Sequence, residues 1–383
     1  GSEMCIRDRP LLDADLLEFL GWISEYYLHP PGEVISTVLP ALLRKGKSAT
    51  LEEKSSWVIT DKGRARLQLG EGRAKVQYKI LRLLEDASRP LDDDALKGVS
   101  RSWKKALQSL QQNELVHEQQ TRHVVQDVIA EQPPEPTRDQ EAAVDRVCQS
   151  IGGFASFLLF GITGSGKTEV YLRCIEQVLA SSGQALVLVP EISLTPQLVG
   201  RFRKRFNVEI DVMHSAMTDR QRLHAWERAR RGDASIIIGT RSAVFVPMAR
   251  PGIIIIDEEH DSSFKQQDGF RYHARDVAIK RASMLSVPVV MGSATPSLET
   301  WYNAITGRYS LLSLAERATD AGLPVVHILD LNKLPVENGI SMPLRDAVRQ
   351  SRERGEQSLL FLNRRGFSPA VCCADCNHLV QCK

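Results

Sequence analysis

The sequence predicts an α/β chain built on one doubly wound, mostly parallel sheet, with smaller modules in front of it. Three observations carry this. Short apolar runs alternate with helical stretches in the middle of the chain, and a G-x-x-x-x-G-K-T motif joins one run to the next helical stretch. A proline-rich break at 131–136 separates that region from the residues before it. The length of 383 residues suits roughly two to four domains. With 49 Lys+Arg against 47 Asp+Glu and 43% hydrophobic residues, the composition is ordinary globular and no global charge drives binding. No apolar run approaches the ~18–20 residues of a membrane span, so no membrane partner is expected. Seven cysteines, four of them in the last dozen residues, do not make a secreted disulfide framework. The first residues hold no apolar signal core, and a cytoplasmic protein is expected.

Residues 1–9 share no pattern with the rest of the chain and read as a non-native leader. Leu11–Val38 opens as an amphipathic helix, with Leu12, Leu16, Leu17, Phe19, Leu20 and Ile23 at mixed i+3/i+4 spacing. It is expected to stop at His29-Pro30-Pro31-Gly32. Five acids and no Lys or Arg give it no phosphate-binding face, and 10–50 reads as the tail of a domain. Across 51–120 the charge reverses, with twelve Lys/Arg against six Asp/Glu between Lys62 and Lys105. Helices over Ala74–Leu84, Asp92–Lys97 and Trp103–Gln111, then a strand at Leu115–Glu118, outline a winged helix, a fold that meets duplex DNA. A solvated basic helical module accounts for the same pattern. Residues 121–136 are a linker. From 137 to 335 the runs Phe157–Phe160, Ala185–Val189, Ile236–Ile238, Ile253–Ile256 and Val287–Met291 read as parallel strands buried on both faces. Residues 336–383 begin a further domain.

The chemistry concentrates in 137–335. Gly161-Ile-Thr-Gly-Ser-Gly-Lys-Thr168 has the strand–loop–helix setting of a P-loop. Gly161, Gly164 and Gly166 let the backbone curl so that loop N–H groups, those of Thr163 and Ser165 among them, face phosphate oxygens. Lys167 should reach the β/γ-phosphates and the Thr168 hydroxyl should ligate Mg²⁺. Ile253–Ile256 then delivers Asp257 to a strand end, where it can hold Mg²⁺ through water. Glu258 beside it can polarise an attacking water as general base. ATP with Mg²⁺ is the expected ligand. Phe264–Arg275 sets Phe264, Phe270 and Tyr272 among Lys265, Arg271 and Arg275. Rings stack on bases and cations hold phosphates, so a single-strand sensor loop is expected, against aromatics that merely anchor a loop. Nine Lys/Arg against four acids over 201–231 suit either a solvated helical face or a DNA-facing surface.

Asp257-Glu258-Glu259-His260 belongs to the DExH class of superfamily 2 helicases and translocases. Gly292-Ser-Ala-Thr-Pro296 resembles the segment of that superfamily, here Ser293 and Thr295, that couples hydrolysis to DNA movement together with His260. Val187–Gln197 and Ile236–Phe245, including Arg241, resemble its DNA-contacting segments, and Gln140 resembles its adenine-reading glutamine. FGITGSGKTEVYL, PEISLTPQ, HSAM, DEEHDSSFKQQDGFRYHARDVA, GSATPSLE and FLNRRGFSPAVCCADC narrow the resemblance, over roughly 11–382, to the bacterial primosomal replication-restart helicase family. That resemblance implies a RecA-like helicase lobe preceded by a winged-helix-like domain and the end of a 3′-DNA-end-binding domain. It also implies 3′→5′ movement, stalled or branched forks and single-stranded DNA as partners, and contacts with primosome proteins and single-stranded DNA-binding protein at the nucleoid. A non-unwinding duplex translocase and a fork-binding module without ATPase activity are the competing readings.

Cys373-x2-Cys376 is half of a tetrahedral Zn²⁺ site, with Cys382 a third thiolate. The resemblance implies a cysteine-rich zinc insertion here whose remaining ligands lie further on. It further implies a chain truncated at both ends, stopping just inside a second lobe marked by Asn363-Arg-Arg-Gly366. The arginine finger expected from that lobe, worth roughly 10³–10⁵ in turnover where quantified, would be missing, so ATP should bind and be hydrolysed poorly.

Overall fold

The computed structural model describes residues 11–46, 55–70, 74–87, 91–100, 102–120, 133–315, 325–337, 340–361, 371–372 and 379–380. They belong to two compact units, Gly1–Asp320 and Ala321–Lys383.

The first unit opens with helices α1 (Ala14–Tyr26), α2 (Pro31–Val38) and α3 (Ala41–Arg44). Asp13 caps α1, its carboxylate accepting the Leu16 N–H at 2.7 Å. The expected stop at His29-Pro30-Pro31-Gly32 proves to be a corner. Pro31 takes the first position of α2, where a missing N–H costs no hydrogen bond.

Next come β1 (Ser55–Ile59), α4 (Asp61–Gln68), α5 (Lys75–Glu85), β2 (Leu91–Asp92), α6 (Asp93–Lys97), α7 (Trp103–Gln112) and β3 (Val116–Gln120). The strands pair antiparallel in the order β2-β1-β3 and cover a core that includes Trp57, Ile80, Leu96, Trp103 and Leu110. Helices α5 to α7 and strand β3 fall within two residues of their expected bounds; β1 and α4 were not foreseen. Gly63 lets α4 cross the start of β3, since a Cβ there would lie 2.1 Å from the Leu115 carbonyl oxygen. Part of the basic surface is already paired, Lys62 with Glu114 and Arg64 with Asp61 and Glu85.

The main body runs α8 (Arg138–Cys148), β4 (Ser156–Gly161), α9 (Lys167–Ala180), β5 (Gln184–Leu188), α10 (Pro196–Arg205), β6 (Ile210–Met213), α11 (Asp219–Arg231), β7 (Ile236–Gly239), β8 (Pro251–Asp257), α12 (Ala274–Met284), β9 (Val289–Ser293), α13 (Leu298–Ile305) and β10 (Ser310–Leu314). All seven strands pair in parallel, in the order β10-β4-β9-β8-β5-β7-β6. The strand period of two sends Ala185, Val187, Ile253 and Ile255 to a core shared with α8 and α9. Leu186, Leu188, Ile254 and Ile256 go to the opposite face, with α11 and α12. The apolar face of α1 joins that second core through Leu16, Phe19, Leu20 and Ile23, and α2 adds Val34. Each such side chain contributes about 1.5–3 kcal/mol. Packing therefore runs across the boundary expected at residue 50. Arg281 of α12 lies buried beneath Phe19 and donates to the carbonyls of Val244 and Val246, each at 2.5 Å; burial brings its pKa down to about 10.

Four of the nine basic residues of 201–231 are seen in ion pairs. Arg205 meets Glu169 and Glu176, Arg228 meets Glu209 and Asp211, and Arg230 and Arg231 share the buried Glu227. Pairing of this kind favours the structural account of the run over a DNA-facing one.

The second unit contains β11 (Val336–Glu337), β12 (Ile340–Ser341), α14 (Met342–Glu353), β13 (Val371–Cys372) and β14 (Leu379–Val380), with β11–β12 and β13–β14 antiparallel. Cys373, Cys376, Cys382 and Asn363–Gly366 lie outside the described residues. Among the described residues, no helix is long and apolar enough to cross a membrane.

Candidate nucleotide site

Strand order decides what meets at the site. Neighbours β4, β9 and β8 carry at their carboxyl ends the Gly161–Thr168 loop, Ser293–Thr295 and Asp257–His260. Three segments separated by up to about 125 residues thus converge at the strand ends where doubly wound sheets bind ligands.

Gly164 (φ +85°) and Gly166 (φ +83°) take left-handed conformations, and α9 begins at Lys167. Gly161 must lack a side chain because a Cβ there would lie 2.4 Å from Ser165 Oγ. Lys167 is buried, its ammonium donating to the Gly161 carbonyl at 2.8 Å, whereas Thr163 is exposed and Thr168 half-buried. The buried Ser165 hydroxyl has no partner among the described residues. An unpaired hydroxyl, an ammonium and a helix N-terminus at one loop fit a phosphate chain.

Gln140 contributes differently from the expectation. Its side-chain oxygen accepts the Thr137 N–H at 3.0 Å, closing a capping box on α8, and its amide NH₂ donates to the Ser165 carbonyl at 2.9 Å. It ties α8 to the phosphate loop, with one amide N–H left for a base edge.

Tyr171, one turn beyond Lys167, donates its hydroxyl to Asp257 Oδ1 at 3.0 Å. Burial raises the Asp257 carboxyl above its usual range; burial and the Asp257 charge raise Glu258. Glu258 adopts φ +47°, a left-handed conformation uncommon for a non-glycine residue, just where β8 ends. The Thr168 hydroxyl and the Asp257 carboxylate are hard oxygen donors of the kind Mg²⁺ takes. A carboxyl raised by folding adds stability below its unfolded pKa and loses it as pH rises through the folded value. Ionised Asp257 is therefore a cost near pH 7. Asp257→Asn should raise the melting temperature by about 2 °C at pH 7 in EDTA, a gain that shrinks toward pH 4. Calorimetry checks this; an unchanged or lower value at pH 7 would contradict it.

His260 spans two motifs. One ring nitrogen lies 2.8 Å from Ser293 Oγ and the other 3.3 Å from Thr295 Oγ1, with Glu258 at 3.7 Å. Glu259, between them in sequence, was missed. It is wholly buried and accepts hydrogen bonds from Arg275 at 3.1 Å, from the Ser297 N–H at 2.8 Å and from Thr300 Oγ1 at 2.8 Å. Nothing in a run of three acids marks which one turns inward.

The loop from Phe264 to Arg275 departs from the expected stacking surface. Phe264, Phe270 and Tyr272 are buried. Phe270 stacks on Tyr272 at 4.9 Å and meets Phe245, Tyr27 and His29. The backbone N–H groups of Arg271 and His273 donate to His29 Nε2 and the Tyr27 hydroxyl, and burial pushes the Tyr27 phenol up to about 12. Arg241 donates to the carbonyls of Ser263 and Lys265, while Arg275 holds Glu259. The rings are anchors in this conformation, because a 12-residue loop can hide apolar surface by folding back on the core. Lys265 and Arg271 remain exposed. Among the described residues no group of three or more His, Cys, Asp or Glu could hold a metal ion, and the zinc expectation falls on residues outside them.

Residues 137–303 match the DEAD/DEAH box helicase family, and residues 3–40 match the 3′DNA-binding domain (3′BD) of PriA. The chain is 43% identical over 379 residues to replication restart protein PriA of Haemophilus influenzae, covering 97% of this chain and 52% of the relative. It is 46% identical over 252 residues to replication restart protein PriA of Bacillus subtilis, covering 64% of this chain and 31% of that one. The chain thus spans about half the length of the first of these relatives. Among solved structures, RecG bound to a three-way DNA junction aligns with a TM-score of 0.41 at 21% identity, over 60% of this chain and 29% of that one. With both domain matches and this identity along almost its whole length, the chain is similar to the PriA replication restart proteins, and its residues 137–303 to the DEAD/DEAH box helicases.

Proposed function

We propose that the protein binds ATP with Mg²⁺ and that its hydrolysis drives 3′→5′ movement on DNA at stalled or branched replication forks. The observation that carries this is the convergence of the phosphate loop, Asp257–His260 and Ser293–Thr295 at three adjacent strand ends. Similarity to the DEAD/DEAH box helicases implies ATP and Mg²⁺ use. Lys167 and the loop N–H groups hold the phosphates, Thr168 and Asp257 would hold Mg²⁺, and Glu258 takes the proton of the attacking water. When bound, Mg²⁺ neutralises charge on the β- and γ-phosphate oxygens. His260, within reach of Glu258, Ser293 and Thr295, is placed to pass a change at the carboxylates to the next strand end.

Fork recognition, strand polarity and recruitment of primosome proteins and single-stranded DNA-binding protein rest on kinship with proteins named for replication restart. So does zinc at Cys373, Cys376 and Cys382. The winged-helix-like module, with its excess of Lys and Arg, is the proposed duplex-contacting part. The test is phosphate release by the full-length protein with and without single-stranded DNA, beside strand displacement on duplexes with a 3′ or a 5′ single-stranded arm. Release stimulated by DNA, with displacement on one polarity only, is expected. Stimulated release without displacement on either would favour a translocase, and nucleotide binding with no release would overturn the motor reading.

A further inference from the structure

Tyr171 is a residue the nucleotide reading does not require, yet the site is built around it. It lies one turn beyond Lys167, on the same face of α9, and is 2% exposed. Its hydroxyl reaches Asp257 Oδ1, and room for it exists only because residue 292 is glycine: a Cβ there would lie 1.5 Å from that hydroxyl and 2.8 Å from the ring carbon bearing it. Gly292 in turn accepts the Glu259 N–H through its carbonyl at 3.1 Å, so the same position fastens the turn after β8. Burial first, and then the charge on Asp257, hold the phenol well above its usual range, so the hydroxyl stays a donor.

We propose that Tyr171 is a positioning residue for Asp257: by engaging Oδ1, beside the Glu258 backbone N–H that also meets the carboxylate, it fixes the carboxylate rotation and so the direction it presents to the nucleotide's Mg²⁺. Gly292 is the glycine that admits it. A carboxylate with both oxygens free can rotate; one with an oxygen pinned in a buried pocket presents the other in one direction. The phenol thereby links the helix that begins at the phosphate-binding lysine to the acid that meets the metal. This inference rests on the nucleotide–Mg²⁺ reading above.

The test uses the whole chain and needs no turnover. Fluorescent mant-ADP binding is titrated with Mg²⁺ in the unsubstituted protein and in Tyr171→Phe, which keeps the ring and removes the donor. Mg²⁺ should tighten nucleotide binding in the unsubstituted protein. In Tyr171→Phe the Mg²⁺ midpoint should rise about 10–100-fold, the usual cost of losing a partner behind a metal ligand, with mant-ADP affinity in EDTA unchanged. Gly292→Ala, which displaces the phenol sterically, should move the midpoint in the same direction. An unmoved midpoint in Tyr171→Phe, whether or not melting temperature falls, would reduce the tyrosine to packing and overturn the inference. Absence of any Mg²⁺ effect in the unsubstituted protein would overturn the nucleotide–Mg²⁺ reading itself and this inference with it.

Discussion

Glu258→Gln is expected to lower ATP turnover by about 10²–10⁴-fold while leaving nucleotide affinity within about twofold. The amide has the same size and can hold the same left-handed turn, so the phosphate loop and Asp257 stay in place. What disappears is the proton acceptor. The carboxylate is suited to that task because burial, and then the adjacent Asp257 charge, raise its pKa and so its basicity. The sign of the pH dependence is set by this: turnover should fall as pH drops through the raised value, because only the ionised form accepts a proton. The glutamine variant should lack that acid limb. Phosphate release against pH, with fluorescent nucleotide binding at each point, measures both. Full turnover in the variant would move the base to another group.

Arg275→Ala should be the most destabilising single substitution in the lobe that leaves the sheet intact. It strands Glu259, which is 0% exposed, with three neutral donors, the Ser297 N–H and the hydroxyls of Ser297 and Thr300. Removing one partner of a buried pair costs about 3–5 kcal/mol, which should lower the melting temperature by roughly 5–15 °C. The second ion pair of Arg275, to Asp276 at 2.9 Å, adds little because Asp276 reaches solvent. Combining Arg275→Met with Glu259→Gln should recover most of the loss, since the uncompensated charge is then gone. Thermal unfolding of the single and double variants decides it; a fall of less than about 2 °C in Arg275→Ala would show that water or backbone already serves Glu259.

The phosphate loop, Asp257 and Glu258 were legible in the sequence because their chemistry is local: a few residues at set spacing make the site. The parallel sheet was legible for a related reason, since runs such as Ile253–Ile256 have no solvated alternative. The roles of Glu259 and Tyr171 were not, and Arg241, expected on a DNA-contacting segment, holds the Ser263 and Lys265 carbonyls. Each acts through a partner distant in sequence, and an acid, a helical tyrosine and a loop arginine look the same whether they face water or one another. The aromatics of Phe264–Arg275 misled for the converse reason: composition reports what a loop could stack on, and only packing reports that Phe270 and Tyr272 already stack on each other. Strand β1 escaped because five residues with three apolar ones rank no higher than background.

The packing of α1 into the lobe has a consequence in time. A ribosome releases the face carrying Leu16, Phe19, Leu20 and Ile23 long before it makes what covers that face, because α12 comes roughly 250 residues later. At about 5–20 residues per second the wait is about 10–50 s. During it the winged-helix-like module, whose own strands and helices are near neighbours in sequence, can close around Trp57 and Trp103 unaided. Helix α1 is thus seated long after it emerges, and the nascent chain carries an uncovered apolar stripe until α12 has followed. That makes α1 the segment of this chain on which a ribosome-associated chaperone would act, and the seam at which two copies translated side by side could exchange helices.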